Sequence, residues 1–166
     1  MRVAFSSRVT LSDLIPGAGY DSIDVNACNE RSILVSNCPG VVEDSTADAG
    51  IFLILAALRG FNNGILAIRN RQWDGVNPPS PQGHNPQGKT LGILGMGGIG
   101  RNMKRKAESF GMKVIYHNRK QLSDDLADGA NYVTFDDLLA QSDVLSLNLP
   151  LNVSHPAMAS GSRTAK

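Results

Sequence analysis

A short stretch in the middle of the chain has the residue types and spacing to hold a diphosphate: Gly95-Met96-Gly97-Gly98-Ile99-Gly100. An apolar, strand-like run from Thr90 to Leu94 leads straight into it, and a helical pattern follows at once. Gly95 permits a tight turn, Gly97 leaves no Cβ between the backbone and a pyrophosphate, and Gly100 lets the helix pack closely on the strand. The first N–H groups of such a helix have no partner within it and point at the phosphates. The bare glycine pattern is common. Between a strand and a helix in a βαβ unit, it points to dinucleotide binding.

A second reader of the dinucleotide is expected at the end of the next strand, about 20 residues on, where an Asp or Glu would bind the ribose hydroxyls of NAD. This chain has His117-Asn118-Arg119-Lys120 there. No carboxylate repels a 2′-phosphate, and Arg119 with Lys120 could pair with one. That favours NADP, with NAD still possible; the other reading of the two cations is a solvated turn.

Hydride transfer also needs a proton donor and a cation to hold the substrate's carboxylate. His84 lies in a proline-rich loop, His117 beside the ribose position, and His155 past the last strand. None has a carboxylate at an orienting spacing, and each reads as a surface residue. No catalytic residue is assigned. Cys28 and Cys38 lack the paired ligands of a zinc site and read as reduced thiols, which suits a cytoplasmic protein, so no metal is expected.

The elements that must position these groups follow a simple order. Gly17-Ala18-Gly19 is a turn, and Asp21 to Cys28 reads as a short capped helix. Ile33-Leu34-Val35 is a β-branched strand closed by Asn37-Cys38-Pro39-Gly40. From Ser45 the period becomes helical: Ala47, Ile51, Ile54, Leu55, Leu58, Ile65 and Ile68 fall on one stripe, and Ser45-Thr46-Ala47-Asp48 offers a capping box. Gly60 and Gly64 are places where this helix could bend or break. Residues 74–88 are polar and proline-rich, a linker loop. Beyond it come a strand at Thr90–Leu94, a helix at Ile99–Phe110, and a strand at Lys113–Tyr116. A short strand at Tyr132-Val133, a helix at Phe135–Ala140 and a strand at Val144–Leu149 complete the series. This alternation predicts an α/β fold with a doubly wound, parallel, Rossmann-like sheet.

Composition excludes other classes. The chain has 166 residues, with Lys+Arg 16 against Asp+Glu 15, so it lacks the basic excess of a nucleic-acid-binding surface. Its longest apolar run, Ile51 to Leu58, falls well short of the roughly 20 residues that span a bilayer, so no membrane partner is expected. Met1 to Thr10 carries Arg2 and Arg8 among serines, as a transit peptide does, but Val3-Ala4-Phe5 reads as well as a strand.

Several of these segments, in this order, resemble the D-isomer-specific 2-hydroxyacid dehydrogenases. They are Gly17 to Asp24, Asn37 to Gly40, Ser45 to Arg59, Gly88 to Gly100, Phe110 to Val114, and Ser142-Asp143-Val144 with Leu149-Pro150-Leu151-Asn152. The likeness runs from Gly17 to Ser154. Tyr116-His117-Asn118-Arg119 is similar to the glyoxylate and hydroxypyruvate reductases of that family. The resemblance implies that Gly17 and Ala18 hold the substrate carboxylate and that Gly98 and Ile99 contact the pyrophosphate. It implies further that Asn118 and Arg119 face the adenosine ribose, with Leu149 and Pro150 beside the adenine.

The organisation implied is a partial, flavodoxin-like substrate domain at 1–43, an interdomain and dimerisation helix at 44–73, and the linker at 74–88. The first half of an NAD(P)-binding domain follows at 89–154, then a divergent tail, expected to be disordered, at 155–166. Members of the family carry a catalytic Arg, Glu and His after the strand that ends near Leu149. No family-like segment bearing them occurs here, so the chain is expected to be truncated at both ends relative to the family, and inactive alone. Two functions stay open: a reductase of small 2-keto acids using NADP or NAD, as a homodimer, or a non-catalytic dinucleotide-binding or dimer-forming fragment.

Overall fold

The computed structural model describes residues 12–14, 19–20, 23–73 and 83–149. They fall into two units, one drawn from residues up to Val42 and from Leu149 onward, the other spanning Glu43–Asn148.

In the first unit β1 (Ser12–Leu14) pairs in parallel with β2 (Leu34–Ser36), with Ser12 opposite Leu34. Between them in sequence lies α1 (Val25–Glu30). Its N-cap is Asp24, whose side chain accepts the Ala27 N–H at 3.0 Å, so the helix begins later than the sequence pattern suggested. β1 was not anticipated: three residues are too few for an alternation to show. The strand expected at Val3-Ala4-Phe5, the tail from 155 and residues 74–82 of the linker lie outside the described residues.

The second unit opens with α2 (Glu43–Arg59), then α3 (Phe61–Arg69). Gly60 takes a left-handed φ of 64°, and the two helices diverge by 75°. α2 begins two residues before Ser45, with Glu43 and Asp44 in its first turn. Ser45 and Thr46 are therefore inside the helix rather than ahead of it, and the acidic side chains of the first turn suit the positive end of the helix dipole. Ala47, Ile51 and Ile54 are buried as the stripe predicted, but Ile65 and Ile68 are exposed. The break at Gly60 resets the helical phase, and Ala67 becomes the buried residue of α3. Among the described residues no single helix is long and apolar enough to cross a membrane.

The strands are β3 (Thr90–Leu94), β4 (Lys113–His117), β5 (Asn131–Tyr132) and β6 (Val144–Leu147). They form one parallel sheet in the order β5-β4-β3-β6. Three helices alternate with them: α4 (Gly98–Ser109), α5 (Asp124–Ala127) and α6 (Phe135–Gln141). On one face Leu91, Ile93, Val114 and Tyr116 pack with Met103 and Ala107 of α4 and with Ala47, Ile51 and Ile54 of α2. On the other, Leu94 and Ile115 pack with Leu138 of α6. Covering both faces explains why β3 is apolar throughout rather than alternating. The chain order β3-α4-β4 puts the glycine turn at the carboxyl end of the central strand, the position at which doubly wound sheets take their ligands.

Candidate dinucleotide site

The turn leaving β3 has the backbone that its glycines foretold. Gly95 has a φ of +97°, a region that side chains disfavour, and its N–H donates to the His117 carbonyl at 3.1 Å. Met96 is buried, 1% exposed, and its N–H donates to the Asn118 Oδ1 at 2.7 Å. Gly97 caps α4 with no side-chain hydrogen bond. The Arg101 N–H reaches the Gly97 carbonyl at 2.9 Å and closes the first helical turn. The N–H groups ahead of it at Gly98, Ile99 and Gly100 have no acceptor within the helix.

Gly100 and Gly97 stand in different surroundings. A Cβ on Gly100 would lie 2.6 Å from the Gly95 carbonyl oxygen and 3.1 Å from Ile93 Cγ2, so packing of the helix on its own strand requires glycine there. A Cβ on Gly97 would meet nothing within 4 Å, at a φ of −84° that any residue adopts. No neighbouring atom among the described residues demands glycine at 97. A diphosphate seated on the first turn of α4 would demand it, and amides without an acceptor in the helix suit one. A cleft of about 390 Å³ opens beside this turn, lined in part by Glu43, Gly98, Arg101, Lys104, Arg105 and Asp128.

The end of β4 carries the second group of candidates. The His117 ring stacks on Tyr132 at 5.6 Å, meets Phe135 edge-on at 6.0 Å, and its Nδ1 lies 2.8 Å from the Val133 carbonyl. Its side chain is thus engaged by neighbours on the α6 face. The Asn118 side chain, expected at the ribose, gives its carbonyl oxygen to the glycine turn, which leaves its NH₂ group for other partners. Arg119 and Lys120 are exposed, and among the described residues neither enters an ion pair. No Asp or Glu stands at the strand end. Leu149 follows β6, while Gly17, Ala18 and Pro150 lie outside the described residues. His84 is exposed and His155 lies outside. Cys28 and Cys38 are free thiols, and no cluster of metal-ligating side chains occurs among the described residues.

Sequence reasoning missed two groups beside the turn. The Glu43 carboxylate occupies the space that a Cβ on Gly98 would fill, at the positive end of α4. Lys104 is 4% exposed, and its ammonium contacts Asp128 and Glu108. The sequence did hold a sign of the latter, since Gly100, Met103, Lys104 and Ala107 share the buried stripe of α4.

Known proteins resemble this chain in sequence and fold. Residues 51–164 match the sequence profile of the D-isomer specific 2-hydroxyacid dehydrogenase, NAD binding domain. The chain is 56% identical over 138 residues to 4-methyl-2-oxopentanoate reductase A of Aspergillus oryzae, covering 83% of this chain and 41% of that protein. To glyoxylate reductase 1 of Saccharomyces cerevisiae it is 45% identical over 139 residues, covering 82% of this chain and 40% of that protein. The crystal structure of a glyoxylate reductase from Paecilomyes thermophila superposes with a TM-score of 0.73 at 57% identity, covering 83% of this chain and 41% of that one. The chain therefore spans about 40% of the length of the relatives it matches.

Proposed function

Since the chain belongs to the D-isomer specific 2-hydroxyacid dehydrogenase family, we propose that its sheet unit holds NADP for the reduction of a small 2-keto acid. Glyoxylate and hydroxypyruvate are the substrates in view. One observation carries the binding half of this reading: a Cβ on Gly97 would meet only open space at the first turn of α4, where a bound diphosphate would need that space.

The choice of NADP rests on charge. Arg119 and Lys120 are exposed cations without ion-pair partners among the described residues, at the strand end that faces the ribose in this fold. A 2′-phosphate would supply the missing anion, and charge-assisted hydrogen bonds to it are stronger than neutral ones. The substrate class rests on likeness to proteins named glyoxylate reductase and 4-methyl-2-oxopentanoate reductase A.

The residues divide the work as follows. The amides of Gly98, Ile99 and Gly100 would bind the diphosphate, while Arg119 and Lys120 would hold the 2′-phosphate. Leu149 and Pro150 would border the adenine. Gly17 and Ala18 would offer backbone N–H groups to the substrate carboxylate. Bound NADPH supplies a hydride for the 2-carbonyl carbon. A homodimer is part of the same reading, supported by the exposed apolar side chains Phe52, Leu53, Phe61, Ile65, Leu66 and Ile68 on α2 and α3. A cytoplasmic setting is supported by the two free thiols.

Titration calorimetry of the purified protein with NADPH and NADH tests the binding claim, and consumption of NADPH on adding glyoxylate or hydroxypyruvate tests the substrate. Tighter binding of NADPH is expected. Equal affinities would remove the NADP assignment, and no heat from either would remove the dinucleotide site.

A further inference from the structure

Lys104 is the buried charged residue among those described, 4% exposed, on the apolar stripe of α4. Its Nζ donates to the Asp128 carboxylate at 2.8 Å and to the main-chain carbonyl of the same residue, and pairs with Glu108 at 3.1 Å. Burying an ammonium is unfavourable, and an apolar side chain of similar volume would fill the position without that cost. Burial pulls the Lys104 pKa down, but the hydrogen bonds it donates to Asp128 and Glu108, with their negative charge, outweigh it and hold it above its ordinary value, so the group stays charged. What it fixes is the end of α5: Asp128 is the C-cap, at a left-handed φ of +48°. A helix as short as Asp124–Ala127 cannot hold itself together without such anchors.

The segment leading into α5 carries Arg119 and Lys120, and each of its ends is tied down. At its start Asn118 accepts the Met96 N–H at 2.7 Å, and its carbonyl accepts the Tyr132 hydroxyl at 3.2 Å. Farther on, the Leu122 N–H donates to the Tyr116 hydroxyl at 3.1 Å. Lys104 completes the set from α4, the helix whose first turn forms the diphosphate site.

We infer that Lys104 is a positioning residue for coenzyme selectivity, clamping α5 through Asp128 so that Arg119 and Lys120 are held where a 2′-phosphate arrives. This rests on the NADP reading above. Lys104 lines the inner wall of the cleft beside the glycine turn, and in this inference it acts through the Asp128 backbone that it anchors.

The test compares calorimetric affinities for NADPH and NADH in the wild-type protein, in Lys104→Met, which keeps the length of the side chain, and in Asp128→Asn, which keeps the left-handed cap. Lys104→Met is expected to lower the preference for NADPH about tenfold, the size of a lost coupling between neighbouring groups, with NADH affinity nearly unchanged. Asp128→Asn should act in the same direction and less, because the main-chain carbonyl still accepts from Lys104. If Lys104→Met fails to fold, Asp128→Asn decides alone. Both affinities falling in parallel, or an unchanged preference in a folded variant, would overturn the inference and leave the NADP reading standing. A wild-type protein without preference for NADPH would overturn both.

Discussion

The side-chain oxygen of Asn118 accepts the Met96 N–H at 2.7 Å, tying the end of β4 to the middle of the glycine turn. In the proposed site, this hydrogen bond would join the diphosphate end to the ribose end. Asn118→Ala would leave a buried N–H unpaired, at a cost of about 1–3 kcal/mol, and should loosen binding of both coenzymes. Asn118→Asp would keep an acceptor for Met96 while placing a negative charge beside the ribose. It should retain stability and shift preference from NADPH to NADH, which urea melts and paired titrations would show.

Two glycines should respond in opposite ways to the same substitution. Gly100→Ala drives a Cβ to 2.6 Å from the Gly95 carbonyl oxygen, and overpacking of this kind costs about 1–3 kcal/mol. Gly97→Ala meets nothing within 4 Å and should leave stability within about 0.5 kcal/mol, yet abolish coenzyme binding. Melting curves and titrations on the two variants would separate packing from recognition.

Arg119→Ala should weaken NADPH by about tenfold to a hundredfold, the loss of a charge-assisted contact, while NADH affinity stays near its original value. Added salt should weaken NADPH binding by the wild-type protein more than NADH binding, because exposed cations are screened. Lys120→Ala should act in the same sense. An equal loss for both coenzymes would mean that these cations do not meet the 2′-phosphate.

Stability should depend on pH through the ion pairs of α4. Asp44 is held below its ordinary value of 3.8 by the Lys106 hydrogen bond, and Asp128 by that of Lys104. A lowered carboxylate pKa gives stability that is present above pH 3.8 and lost as pH falls through the folded-state value. Lys106 and Lys104 are raised above 10.5, Lys106 mainly by its hydrogen bonds to Asp48 and Asp44. Their contribution is full below pH 10.5 and lost as pH rises through the folded-state values. Melting temperature should thus be level between these limits and fall on both sides. Asp44→Asn should make the acid fall shallower. Because Asp44 is exposed, the effect should shrink with added salt.

The sheet unit was legible because its signals are local. β3 is a continuous apolar run, the glycines follow at once, and α4 shows its stripe within a few turns. What was hidden depends on contacts between distant segments. α5 is four residues long, too short for a period, and its C-cap Asp128 is held by Lys104, which is remote in sequence. The buried stripe could not be carried from α2 into α3 because one left-handed residue, Gly60, changes the direction of the chain. At the site, the sequence named the cations and the glycine turn but not where the Asn118 side chain points. That direction is set by a hydrogen bond across the sheet end, and residue type alone does not encode it.

Amide chemical shifts of the isotopically labelled protein, followed by NMR during titration with NADPH, examine the dinucleotide site at its own atoms. The largest changes should fall on the N–H groups of Gly97, Gly98, Ile99 and Gly100, with a second set at Arg119 and Lys120 that NADH does not reproduce. Binding that shifts other amides and leaves positions 97 to 100 untouched would contradict the site described.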